Sequence, residues 1–169
     1  MPLTAHLQAA EDIDHIHTGV LHTPFHSRIT ELNINQQWLV WNGYATAVYF
    51  YDAHLEYFAT RNTCAVFDVS PMRKYRFKGA DAEAMLDRMV TRDVTAQALN
   101  TVAYNVWCTD AGRVVDDGTL FRLAQDEFMV CCADPCFDWF QLCAVGFEHV
   151  EVTDISDDLA ALALQGPTS

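Results

Sequence analysis

The sequence predicts an α+β fold: a largely antiparallel sheet with packed helices, organised as a split β-α-β, ferredoxin-like core. Three observations predict it. Extended segments outnumber helical ones, the helical stretches are short, and from Arg73 to Thr153 the elements read β, α, β, β, β, α, β.

Each element has a local reason. Asp81 to Val90 places Ala82, Met85, Leu86, Met89 and Val90 at i, i+3, i+4, i+7 and i+8, with Asp81 and Glu83 at the positive end of the helix dipole. Asp134 followed by Pro135 reads as an N-cap with proline at the first helical position; Cys136, Trp139, Phe140 and Cys143 then form one apolar stripe ending at Gly146. Asp52 to Asn62 is a third helix, capped by Asp52, with Leu55, Phe58 and Ala59 on one face. Strands are predicted over Trp38 to Trp41, Tyr44 to Tyr51, Arg73 to Lys78, Val102 to Cys108, Arg113 to Leu123, Glu127 to Cys132, His149 to Thr153 and Ala160 to Leu164. Residues 1–20 are polar and weakly periodic and read as a mobile N-terminal arm; residues 21–169 carry no linker or repeat and read as one unit.

Composition narrows the function classes. The 169 residues include 10 Lys and Arg against 23 Asp and Glu, a net charge of −13, with 51% apolar residues. A folded acidic chain argues against a broad nucleic-acid or anionic-membrane surface, which needs clustered cations in excess. No secretory leader or bilayer-length apolar run is visible, so a cytoplasmic location is expected. The six cysteines sit inside apolar segments and read as reduced thiols. No glycine-rich phosphate loop is present.

Chemistry concentrates on the segment after the Asp110-Ala111-Gly112 turn. Strand period puts Asp116 and Asp117 on opposite faces. Val115, Phe121 and Leu123 are the more apolar set, so Asp117 is expected to point to the packed side and Asp116 away from it. A carboxylate among apolar neighbours needs a donor or a raised pKa, as at sites of proton management. The alternative is that the strand ends early and both aspartates are solvated turn residues. Lys74, Arg76 and Lys78 share a strand face and read either as an anion-receiving island or as a solvated face balancing nearby acids. His15, His17, His22 and His26 have suggestive spacing but no partnering carboxylate or cysteine set, and Cys132 and Cys136 are explained by packing, so no metal site is expected.

An ordered set of short motifs goes further. Phe67-Asp68-Val69-Ser70-x-Met72, Lys78-Gly79, Thr91-x-Asp93-Val94, Ala103-Tyr104, Gly112-x-Val114-Val115-Asp116-Asp117, Val150-Glu151-Val152-Thr153-Asp154 and Ala163-Leu164-Gln165-Gly166-Pro167 follow one another. In order and spacing this series resembles the aminomethyltransferase family, the T-protein of the glycine cleavage system and its folate-dependent demethylase relatives, from about Leu21 onward. The resemblance implies tetrahydrofolate-dependent one-carbon transfer. It places Asp117 beside the reacting pterin nitrogens, Met72 and Tyr104 in the folate pocket, and Thr119 and Phe121 with them as cofactor-binding candidates. It implies a methylated amine or other methyl donor as substrate, and a lipoyl carrier protein as a partner.

The chain departs from the family pattern at identifiable places. Pro71-Met72-Arg73 stands where the family has His-Met-Gly after Asp-Val-Ser, Thr91-Arg92-Asp93 replaces Thr-Asn-Asp, and Ala133-Asp134-Pro135-Cys136 replaces an Asn-Ala-Ala-Asn stretch. Compared with the family, the chain reads as an N-terminal portion lacking the rest of the folate-binding core and the C-terminal barrel. Apolar surface left uncovered would favour self-association. The other functional readings are a non-catalytic folate-binding or assembly relative and an inactive fragment.

Overall fold

The computed structural model describes residues 19–169. The expected arm, and with it His15 and His17, lies outside the described residues apart from Gly19 and Val20. The described chain forms two compact units, residues 19–71 with Ala161–Ser169, and Met72–Ala160. No Pro- or Ser-rich segment marks either boundary, which is why the sequence reads as one unit.

The first unit contains α1 (His26–Leu32), β1 (Trp38–Trp41), β2 (Tyr44–Ala47), α2 (Ala53–Asn62), β3 (Ala65–Asp68) and β9 (Leu162–Gln165). β1 and β2 form a hairpin closed by Asn42 and Gly43, whose φ of 49° and 89° are those of a two-residue turn that matches strand twist. α2 begins where the sequence predicts: the Asp52 carboxylate accepts from the backbone N–H groups of His54 and Leu55. The strand expected over Tyr44 to Tyr51 stops at Ala47, because the Phe50 and Tyr51 N–H groups donate to Glu56 Oε1 rather than to a neighbouring strand. β3 pairs antiparallel with β9. α1 and β3 are elements that sequence pattern does not reveal: neither has a fully buried side chain, so neither leaves a clean apolar period.

The second unit holds β4 (Arg73–Lys78), α3 (Ala82–Met89), β5 (Thr101–Cys108), β6 (Val114–Arg122), β7 (Glu127–Cys132), α4 (Phe137–Ala144) and β8 (Glu151–Asp154), followed by a 3-10 turn at Ser156–Asp158. Its sheet has the order β5-β6-β7-β4-β8, and every neighbouring pair is antiparallel. The first strand of the unit, β4, lies between β7 and the last strand, β8. That is the split β-α-β expected from sequence, widened by one strand of the β5-β6-β7 meander.

Both helices contribute to a core on one face of this sheet. Phe140 of α4 is fully buried and meets Tyr75, Phe77 and Trp107 edge-on, with centroids 5.1, 5.3 and 5.5 Å away. Met85 and Leu86 of α3 complete the layer with Leu120, Phe128 and Val130 from the strands. α4 starts at Phe137, later than the Asp134-Pro135 pattern suggests. Cys136 takes the cap position and its N–H donates to the Tyr75 hydroxyl at 3.0 Å, while the Asp134 carbonyl turns back to accept from the Cys132 thiol.

Candidate functional site

The site is built on β5 and β6. Burial along β6 alternates so that Gly118, Leu120 and Arg122 are buried, while Asp117 is exposed and Thr119 and Phe121 are half-buried. Asp116 is thus on the helix-covered face and Asp117 on the open one, the reverse of the sequence expectation. Val114 and Val115 are both exposed and do not choose a face. The packed face is chosen by Trp107, which lies over Gly118, and by Arg122, whose charge is matched by Glu83 and by the Val94 and Gln97 carbonyls. A cation that finds an acid and two carbonyls can be buried where a simple hydrophobic count expects none.

On the open face, directly opposed residues of neighbouring strands stand side by side. Tyr104 pairs with Thr119, which pairs with Cys131, which pairs with Lys74. The next row toward the β5–β6 turn pairs Val106 with Asp117, and the next row away from it pairs Val102, Phe121, Met129 and Arg76. Tyr104 reaches diagonally and its hydroxyl donates to Asp117 Oδ2 at 2.6 Å. This bond to an anionic acceptor raises the Tyr104 pKa above the ordinary phenol value, and the Asp116 charge adds a smaller push. Tyr104 therefore stays a proton donor at neutral pH and holds the carboxylate in place.

Four of the five candidate residues, Asp117, Tyr104, Thr119 and Phe121, share this face. Met72 is half-buried in the turn before β4, two strands from β6. Arg73, which follows it, pairs with Cys132, and Cys132 pairs with Gly118, so Met72 lies at the end of the sheet where Asp117 stands. In the basic strand Arg76 and Lys78 balance Glu127, at 4.0 and 3.5 Å, whereas Lys74 is buried rather than solvated and donates to the Met72 carbonyl.

Two further features lie in the first unit. The His22 and His26 rings stack at 3.7 Å, and the His26 ring lies 4.8 Å from that of Trp38. A cavity of about 430 Å³ in the first unit is lined mainly by apolar groups such as Trp41, Phe50 and Phe67. Its Glu56 is already committed to backbone N–H groups.

Sequence reasoning missed a second cluster. Asp116, Cys132 and Cys136 bring a carboxylate oxygen and two sulfurs within 4.8 Å of one another. Burial pushes both thiols upward, Cys136 to about 11, and the Asp116 charge adds to the rise. The signal was present in the sequence as the Cys132-x-x-x-Cys136 spacing, but only the correct β6 face brings Asp116 to it. All six cysteines are free, and two of them are buried.

No helix among the described residues is long and apolar enough to cross a membrane. Residues 26–169 match the family model of the GCVT N-terminal domain. The chain is 39% identical over 116 residues to an aminomethyltransferase of Desulfitobacterium hafniense, covering 66% of this chain and 32% of that one. It is 32% identical over 129 residues to an aminomethyltransferase of Thermotoga maritima, covering 74% and 35% of the two chains. The fold is shared with the crystal structure of glycine cleavage system aminomethyltransferase T from Bartonella henselae, with a TM-score of 0.73 and 22% identity over 88% of this chain and 41% of that one. The chain spans about a third of the length of the curated relatives it matches. With a family model matched from residue 26 to the last, the chain belongs to the aminomethyltransferase family, as its GCVT N-terminal domain.

Proposed function

We propose that the open face of the large sheet binds tetrahydrofolate, and that residues 21–169 are the N-terminal portion of a folate-binding domain serving one-carbon transfer. The observation that supports this most is the Tyr104 hydroxyl held on Asp117 Oδ2 at 2.6 Å, where β5 and β6 leave that face exposed. The residues present suit a reduced pterin. Val102 and Tyr104 are more than half exposed on that face, which offers a flat apolar surface for a ring, with a single oriented carboxylate at its margin.

Tetrahydrofolate supplies the nitrogens that accept the one-carbon unit. The chain's own part follows from the geometry. Tyr104 occupies Asp117 Oδ2, which leaves Oδ1 free to accept a hydrogen bond from a ligand N–H, to stabilise positive charge developing there, or to take a proton. Thr119 and Phe121 set the floor beside it, and Met72 borders the same end of the sheet. The donor is a methylated amine or an aminomethyl group, the latter delivered by a lipoyl carrier protein in a glycine-cleavage setting; a demethylase is the other branch of the same reading. The compartment that fits is the cytoplasm. Val66, Phe67, Leu162 and Leu164, exposed on the paired β3 and β9, give the chain a route to self-association.

Anaerobic calorimetric titration with tetrahydrofolate tests the reading. Binding is expected, with Asp117→Asn weakening it at least about tenfold, the order of a lost hydrogen bond to a charged group. Equal affinity in Asp117→Asn removes Asp117 from the site. No binding by a chain with a sigmoidal melt removes this face as a self-sufficient folate site.

A further inference from the structure

Behind the folate-facing side of β6, on the helix-covered face, Asp116 stands opposite Trp107 of β5 and faces the end of β7 and the cap of α4. There it meets Cys132, fully buried, and Cys136, only 6% exposed. The carboxylate and the two sulfurs lie within 4.8 Å of one another. Asp116 forms no ion pair with any lysine, arginine or histidine among the described residues. Its hydrogen-bond donor is the Cys136 thiol, at 3.6 Å. The indole N–H of Trp107, the residue paired with Asp116, is buried without a hydrogen-bond partner.

Packing accounts for two buried thiols, but not for a half-buried carboxylate set among them without an ion-pair partner; Arg73, opposite Cys132 on the same face of the sheet, forms no salt bridge with it. An anionic group in that setting calls for positive charge. The spacing Cys132-x-x-x-Cys136 falls within the range of zinc thiolate pairs. A tetrahedral zinc ion with ligand bonds of about 2.0 to 2.3 Å needs ligand atoms roughly 3.3 to 3.8 Å apart, so small side-chain rotations close this set on an ion.

We propose that Asp116, Cys132 and Cys136 form a binding site for a borderline-soft divalent metal ion of the zinc class, with water as the fourth ligand. On binding, the ion replaces the two thiol protons, which leave to solvent, and two thiolates and a carboxylate coordinate it. The Trp107 N–H then has a thiolate sulfur to donate to, as outer donors at thiolate sites do. The site lies on the opposite face from Asp117 and needs no folate, so its fate is separate from that of the proposed function.

The test uses the full, reduced 169-residue chain, with Co²⁺ as a spectroscopic probe and Zn²⁺ for calorimetry in two buffers of different ionisation enthalpy. One ion per chain is expected, with a thiolate-to-cobalt charge-transfer band and release of about two protons per zinc ion. Cys132→Ser, Cys136→Ser and Asp116→Asn should each weaken binding at least about tenfold, whereas Cys64→Ser and Cys108→Ser should not. Binding without the thiolate band or without proton release overturns the proposal, and neither readout depends on a variant folding. A band that survives in Cys132→Ser and Cys136→Ser overturns it as well, as does failure of the melting chain to take up an ion.

Discussion

Gly118→Ala probes the point on which both faces of β6 depend. Gly118 is buried in the interior of a nine-residue strand, between Asp117 and Thr119. Its backbone is not left-handed, so the glycine is required by space alone. A methyl group there would run into the Cys131 carbonyl oxygen of the paired strand and come within 3.1 Å of the Trp107 ring tip, Cη2. The carbonyl is backbone and cannot swing away; the ring is fully buried against Phe140 and has no room to retreat. Overpacking of this kind costs about 1–3 kcal/mol, and the gain from replacing glycine within a strand returns about 0.5–1 kcal/mol. Because the clash is with backbone, the upper part of that cost applies, and the net expectation is a loss of roughly 1–2.5 kcal/mol in urea unfolding, with an unchanged m-value. Because the tighter contact is the carbonyl, Trp107→Phe in the same chain should recover only the smaller part of the loss. A Gly118→Ala chain as stable as the parent would refute the reasoning, because the carbonyl and the indole would then not be stacked over this residue.

Two other measurements follow from single groups. Burial pushes the Tyr75 hydroxyl from 10.0 up to about 12, so the folded state favours the neutral phenol. Its contribution is fully present below the unfolded value of 10.0 and is lost as pH rises through about 12. The loss should be on the order of 2–3 kcal/mol, seen as a falling urea midpoint across that window in the parent and as a shallower fall in Tyr75→Phe; parallel slopes would count against it. Asp52→Ala removes the acceptor of the His54 and Leu55 N–H groups and should lower stability by about 1 kcal/mol, while Asp52→Asn should retain most of it in the same thermal melts.

Much of the frame was legible in the sequence because local rules act without knowledge of the partner. The α3 stripe of Ala82, Met85, Leu86 and Met89 is buried as its helical period requires. The Asp52 cap and the β, α, β, β, β, α, β order also rest on short-range chemistry. What was not legible falls into two kinds. α1 and β3 were not read from the sequence pattern, and neither buries a residue fully. The Asp134-Pro135 cap signal lost to a tertiary bond, since Tyr75 takes the Cys136 N–H and sets the first turn of α4.

The aspartate pair shows most clearly where each level of information ends. Alternation in an extended strand is a property of the backbone, so the sequence by itself determined that Asp116 and Asp117 point to opposite faces, and the ordered motifs determined the family. Which face is packed was decided only by the tertiary structure, because burial is a property of what comes to lie on the strand. Trp107 fits over Gly118 from β5, and Glu83 reaches Arg122 from α3, so the helices settle on the even-numbered face. Asp117 is thereby left on the open face with Tyr104, and Asp116 is turned inward to Cys132 and Cys136.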